Sequence, residues 1–177
     1  MIAGRREADR KQHFDAFISY SHAADSNLSR ALRDSLQRFA TPWSPWSWSN
    51  PIRSLRIFRD QSALSPSPAL WPAIERALAA SDWFVLLASV DAASSPWIDK
   101  EVSFWCAHKP SERILLVQTD GELAWAPDAG DFDWKVCTAL PRRLAGVFAH
   151  EPLWLDLRWA KSQRVCSTIF GSSHPPT

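Results

Sequence analysis

"WFVLLAS", residues 83–89, is an apolar run with no polar residue until its last position. A strand that meets water on one face alternates apolar and polar residues, so this run predicts a strand buried on both faces, as at the centre of a parallel sheet. To its amino-terminal side, "FDAFIS" (14–19) predicts a first strand, and Leu28, Ala31, Leu32, Ser35, Leu36 and Phe39 follow with helical spacing. "LRIF" (55–58) predicts a second strand. It is followed by the loop "RDQSALSPSP" (59–68) and a helix spaced through Leu70, Ile74, Ala77 and Leu78. Pro66 and Pro68 bias the residues before them away from helix.

To the carboxyl-terminal side, a helix is predicted over 95–107, with Ser94 or Ser95 as cap and Pro96 in the first turn. "RILLVQ" (113–118) and "PLWLDL" (152–157) supply the fourth and fifth strands, and residues 119–145 read as irregular or short helix. Alternating strands and helices with mostly apolar strands predict an α/β fold. It is a doubly wound five-stranded parallel sheet with helices on both faces, flavodoxin-like in size. Ligands gather at the carboxyl ends of such strands, which here carry Ser19–His22, Arg59–Leu64, Ser89–Pro96 and Thr119–Gly121.

The chain of 177 residues suits one domain. The expected organisation is a charged tail over 1–12, a domain over 13–159 and an extension over 160–177. Residues 41–51, "TPWSPWSWSNP", are rich in proline, serine and tryptophan and read as an inserted loop. Twenty basic and nineteen acidic residues give a net charge of +1, so no long-range field favours nucleic acid or an anionic membrane. No stretch approaches the roughly 20 apolar residues of a membrane helix. Cys106, Cys137 and Cys166 lie too far apart for a zinc or disulfide framework and fit a reducing compartment. The expectation is a soluble, cytoplasmic protein.

"SSPWIDKEVSFW" (94–105) raises the chemical question. Helical spacing groups Trp97, Glu101, Phe104, Trp105 and His108 on one side, with Ile98 and Val102 on its flank. Glu101 lies too far past the cap to complete a capping box. Two readings follow. It is a border glutamate paired with Lys100 or a nearby arginine, or it is a carboxylate in a partly dry aromatic cleft, where it interacts strongly with a developing positive charge.

Three segments in order add a second signal: "FDAFISYSHAAD" (14–25), "LRIFRDQSALSPSPALWPAIERALAASDWFVLLAS" (55–89) and "SSPWIDKEVSFW". Together they resemble the Toll/interleukin-1 receptor (TIR) domain, especially its bacterial branch, over roughly residues 13–158. The shared marks are "ISYSH" ending the first strand, "FRD" with a following leucine and proline, and "W..KE" opening the helix. The resemblance implies the TIR fold and an NAD+ hydrolase that holds no cofactor and uses NAD+ as substrate, with Glu101 as catalytic residue. It also implies that Ser19, Tyr20, Ser21 and His22 line the pocket. Trp71 joins the substrate-contacting set. Trp97 is either a wall for the nicotinamide ring or a core residue. The 59–68 loop resembles the family's BB loop, with Leu64 on the ligand and Asp60, Ser65 and Pro66 at subunit contacts. Arg59 meets a phosphate or pairs with Asp60 or Glu75. Where the family usually has glycine after the loop proline, Ser67 and Pro68 stand here.

Homotypic TIR association, with a sensor domain or partner chain, is the expected mode of activation, in bacterial defence signalling. The rival is a non-catalytic module for TIR–TIR contacts, and a weaker alternative is a flavin-binding flavodoxin-like domain. Five glycines form no phosphate loop, and five scattered histidines have no metal spacing. "ISYSH" and "LLASVDA" lack the acidic residues of a response-regulator receiver.

Overall fold

The computed structural model describes residues 13–39, 55–59 and 70–160. The tail 1–12, the tryptophan-rich loop 41–51, residues 60–69 and residues 161–177 lie outside them, and with them Asp60, Leu64, Ser65, Pro66, Ser67 and Pro68.

Five strands form one parallel sheet: β1 (Phe14–Ser19), β2 (Ile57–Arg59), β3 (Ser81–Ala88), β4 (Ile114–Gln118) and β7 (Trp154–Asp156). Their order across the sheet is β2-β1-β3-β4-β7, so the chain adds β2 on one side of β1 and β3 on the other, and the winding reverses between β1 and β3. In open parallel sheets ligands bind at such a reversal, outside the carboxyl ends of the two strands that flank it. Ser19 pairs with Leu86 there, and Phe17 pairs with Phe84 and Phe58 one step deeper. Among the described residues four α-helices accompany the sheet: α1 (His22–Phe39), α2 (Leu70–Ala79), α3 (Val90–Ser94) and α4 (Pro96–His108).

The period of two along a strand divides the core. Phe17, Phe84, Leu86, Ile114 and Leu116 pack with Ile74 and Leu78 of α2 and with Ile98, Val102 and Trp105 of α4. Ile18, Tyr20, Val85, Leu87 and Val117 form a second cluster, against which Leu32 of α1 packs. Phe17 stacks between Phe58 and Phe84, and Phe84 meets Trp105 at 5.4 Å. Phe84 through Ala88 are buried, as a central strand requires, whereas Trp83 at the opposite end is 39% exposed. The expectation of full burial therefore fails at that one residue.

Other elements differ from expectation. The second strand is Ile57–Arg59, with a register on β1 that runs from Ile57 opposite Ala16 to Arg59 opposite Ile18. A one-turn helix, α3, stands between β3 and α4, where the sequence reading assigns no element. Ser89 caps it by accepting a hydrogen bond from the Ala92 amide at 3.2 Å. Residues 119–145 hold no α-helix. They form a two-stranded antiparallel ribbon, β5 (Trp125–Ala126) with β6 (Asp131–Phe132), and a 3-10 turn at Arg142–Leu144. Phe132, ringed by Trp125, Trp134, Phe148 and Trp154, anchors this segment to the core. Among the described residues no helix is long and apolar enough to cross a membrane.

Candidate active site

Helix α4 begins as its sequence requires. Ser95 caps it by accepting from the Ile98 amide, and Pro96, which has no N–H to leave unpaired, occupies its first turn. The buried side of α4 is Ile98, Glu101, Val102 and Trp105. This corrects the expected stripe: Trp97 is 47% exposed, His108 is exposed and Phe104 is only half-buried. The apolar face is rotated toward Ile98 and Val102 because these, with Trp105, meet the sheet and α2. Glu101 thus lies within the buried face and is 2% exposed, so the reading of it as a border glutamate fails.

What receives this carboxylate is the end of β1. The Ser19 hydroxyl donates to Glu101 Oε2 at 2.6 Å across 82 residues of chain, and Ser19 is itself fully buried. Burying an ionised carboxylate is costly unless hydrogen bonds replace its water, and a charge-assisted O–H···O bond of this length is among the stronger ones. The switch-point crevice therefore contains an acid held by a serine.

Lys100 does not pair with Glu101. Its ammonium lies 3.8 Å from the Trp71 ring centroid and 5.8 Å from that of Trp97. The two indoles are 6.2 Å apart and inclined by 40°. The Trp71 indole N–H donates to the Glu75 carboxylate one turn further along α2. With Trp97 half-exposed, its reading as a core residue fails, and the pair forms an aromatic surface within one turn of Glu101.

The remaining expected residues divide by strand parity. Ser19 faces α4, whereas Tyr20, 4% exposed, joins the cluster on the other face of the sheet. Its ring lies 4.7 Å from that of His22 and 5.6 Å from the Arg59 guanidinium. Arg59 also donates to the Ser26 carbonyl at 3.4 Å and to the Ser29 hydroxyl at 3.3 Å. Its expected pairing with Glu75 is not formed, since Glu75 receives Trp71 instead. The Ser21 carbonyl accepts from the Asp25 amide in the first turn of α1. The structure thus brings Ser19 to Glu101 and gathers Tyr20, His22 and Arg59 as a separate group behind them.

Sequence reasoning missed Asp25. It is fully buried and accepts from the Ser89 hydroxyl at 3.0 Å, tying the start of α1 to the cap of α3 across the two strand ends that frame the crevice. An aspartate in a helix's first turn is ordinarily solvated, and only the serine ending "WFVLLAS" hinted at a partner. On the far side of β3, Thr119 is bonded twice to the Ala88 carbonyl, through its amide at 2.8 Å and its hydroxyl at 3.1 Å. Arg143 pairs with Asp99 at 3.0 Å and fastens the first turn of α4 to the 3-10 turn. Of the metal-ligating types, His13, Asp15 and Asp82 approach one another at the opposite end of the sheet, where His13 and Arg113 pair with Asp82.

A family model for the TIR-like domain of Thoeris protein ThsB matches residues 17–123 of the chain. The chain belongs to this TIR-like family. The match runs from within β1 past β4, so it includes both Ser19 and Glu101. A similar protein, NAD(+) hydrolase ApTIR from Actinoplanes sp., is 49% identical over 150 residues, which is 85% of this chain and 20% of that protein. The chain thus spans about a fifth of that relative's length.

Proposed function

We propose that this TIR-like domain cleaves the nicotinamide–ribose bond of NAD+, with Glu101 as the catalytic residue. The observation that carries the reading is a carboxylate buried at the switch-point crevice and held by Ser19, in a chain similar to an NAD(+) hydrolase. In the reaction the bond between ribose C1′ and the pyridinium nitrogen breaks, and its electron pair leaves with the ring. Nicotinamide departs neutral, so no acid is needed to protonate it and the paired carboxyls of ordinary glycosidases are unnecessary. Positive charge develops on the ribose, and a fixed carboxylate beside it stabilises that charge or accepts a hydrogen bond from a ribose hydroxyl. Water then adds at C1′ and loses a proton, giving ADP-ribose. An adenine nitrogen attacking instead gives a cyclic product. Neither path calls for a resident cofactor.

Ser19 orients Glu101 by fixing one of its oxygens, and Trp71 with Trp97 forms an aromatic wall within reach of a flat ring. Tyr20, His22 and Arg59 support the crevice from behind. Glu101 at 2% exposure cannot touch ribose until the groups over it move. This supports activation by self-association, in which a neighbouring copy stabilises the open state, and the domain works as an effector attached to a sensor or partner chain in cytoplasmic defence signalling. The test is NAD+ consumption by protein clustered on beads, against the same amount dispersed. Clustering-dependent release of nicotinamide supports the reading. Absence of release from clustered, folded protein transfers support to a TIR–TIR binding module.

A further inference from the structure

The aromatic pair beside Glu101 already holds a cation. Lys100 Nζ sits over the face of Trp71 at 3.8 Å and within 5.8 Å of the centroid of Trp97. The bond from the Trp71 indole N–H to the Glu75 carboxylate fixes the ring's orientation and enriches its π face in electron density. An indole face attracts cations through its quadrupole, most strongly where water is partly excluded. Trp97, Lys100 and Glu101 share the first turns of α4, so whatever lies on the two indoles lies within a helical turn of the acid.

We propose that Lys100 is an internal competitor for the nicotinamide position. Its ammonium occupies the Trp71–Trp97 surface in the free protein and swings into water when the cationic pyridinium ring of NAD+ takes its place. The inference rests on the reading that NAD+ docks beside Glu101. Two consequences follow from the charge. Exchanging one cation for another keeps the aromatic surface satisfied, whereas the neutral dihydronicotinamide of NADH displaces a cation without replacing it, so the surface selects the oxidised dinucleotide. The apparent affinity for NAD+ is also lowered by the fraction of time that Lys100 holds the site.

The test is titration calorimetry of NAD+ and NADH on the folded Glu101→Gln chain, alone and combined with Lys100→Met, Lys100→Arg or Trp71→Ala. It is run at the protein concentration used for turnover, with KM and kcat measured in the Glu101 background. Lys100→Met is expected to tighten NAD+ about two- to fivefold, the equivalent of an exposed cation–π contact, and to lower KM with little change in kcat. Lys100→Arg, which stacks better on an indole, raises KM. Trp71→Ala removes the preference for NAD+ over NADH, and adding Lys100→Met to it has no further effect. Weaker NAD+ binding by Lys100→Met would overturn the proposal, since it would mean that the ammonium holds the dinucleotide's phosphates. Unchanged binding by both Lys100 variants would overturn it too. Nicotinamide release that depends on Glu101, with affinity indifferent to Lys100, removes this proposal alone. Tighter NAD+ binding by Lys100→Met without any turnover removes the hydrolase reading and keeps this one.

Discussion

Replacing Ser19 by alanine takes one hydrogen bond from a carboxylate that is 2% exposed and puts no water in its place. A hydrogen bond to a charged group contributes about 1.5–3 kcal/mol, and a buried charge deprived of a partner bears most of that as a desolvation cost. The expected loss of stability at neutral pH is about 2 kcal/mol, which in a domain of this size lowers Tm by about 4–8 °C. Urea unfolding followed by tryptophan fluorescence measures it, provided the slope with denaturant is unchanged. The same substitution in a Glu101→Gln background removes a bond to a neutral amide, worth about 1 kcal/mol. The double-mutant cycle should therefore show a coupling of about 1 kcal/mol between the two positions. A cost for Ser19→Ala below about 0.5 kcal/mol, equal in both backgrounds, would refute the argument that this hydroxyl compensates a buried charge.

Three further outcomes are expected. Trp105→Ala empties a fully buried site against Phe84 and should cost about 3–5 kcal/mol by equilibrium unfolding. Ser89→Ala removes both the α3 cap and a donor to the buried Asp25, so it should cost about 2–3 kcal/mol, whereas Ser94→Ala on the exposed end of the same helix should change stability by less than about 0.5 kcal/mol. The Asp131 carboxyl is desolvated, which alone would raise its pKa, but donors from the Trp134 indole and the Phe132 and Gly146 amides outweigh that and hold it below the ordinary aspartate value. Its stabilising contribution is therefore full above about pH 4, the unfolded value, and is lost as pH falls through the lower folded value. Asp131→Asn should lower stability at pH 7 and flatten its decline below about pH 4, as read from Tm against pH.

The sheet was legible because apolar runs without alternation, such as 83–88 and 114–117, have few other ways to be buried. The caps of α4 were legible because Ser95 and Pro96 act locally. What the sequence concealed depends on tertiary contact. Helical spacing grouped Trp97 with Glu101, but which flank of α4 met the sheet was decided by Ile98, Val102 and Trp105 packing together on Phe84 and α2. A periodicity argument sees an arc of residues and cannot tell which edge of it is covered. Tyr20 and Ser19 are neighbours in sequence and were assigned one pocket, yet alternation along the strand sends them to opposite faces. Asp25 and Ser89 are 64 residues apart, and no local pattern joins them. One of the two readings of Glu101 pairs it with Lys100 or a nearby arginine, and the geometry of two indoles takes the Lys100 ammonium instead.

The proposed role of Glu101 is to act on the nicotinamide–ribose bond. The direct measurement is nicotinamide release from NAD+ by bead-clustered native chain beside clustered Glu101→Ala and Glu101→Gln, each shown to be folded, with products separated by chromatography. The account predicts release by the native chain, accompanied by ADP-ribose or its cyclic form, and loss of at least about a hundredfold in both variants, the scale on which a positioned electrostatic group acts. Release by the variants at the native rate would contradict it.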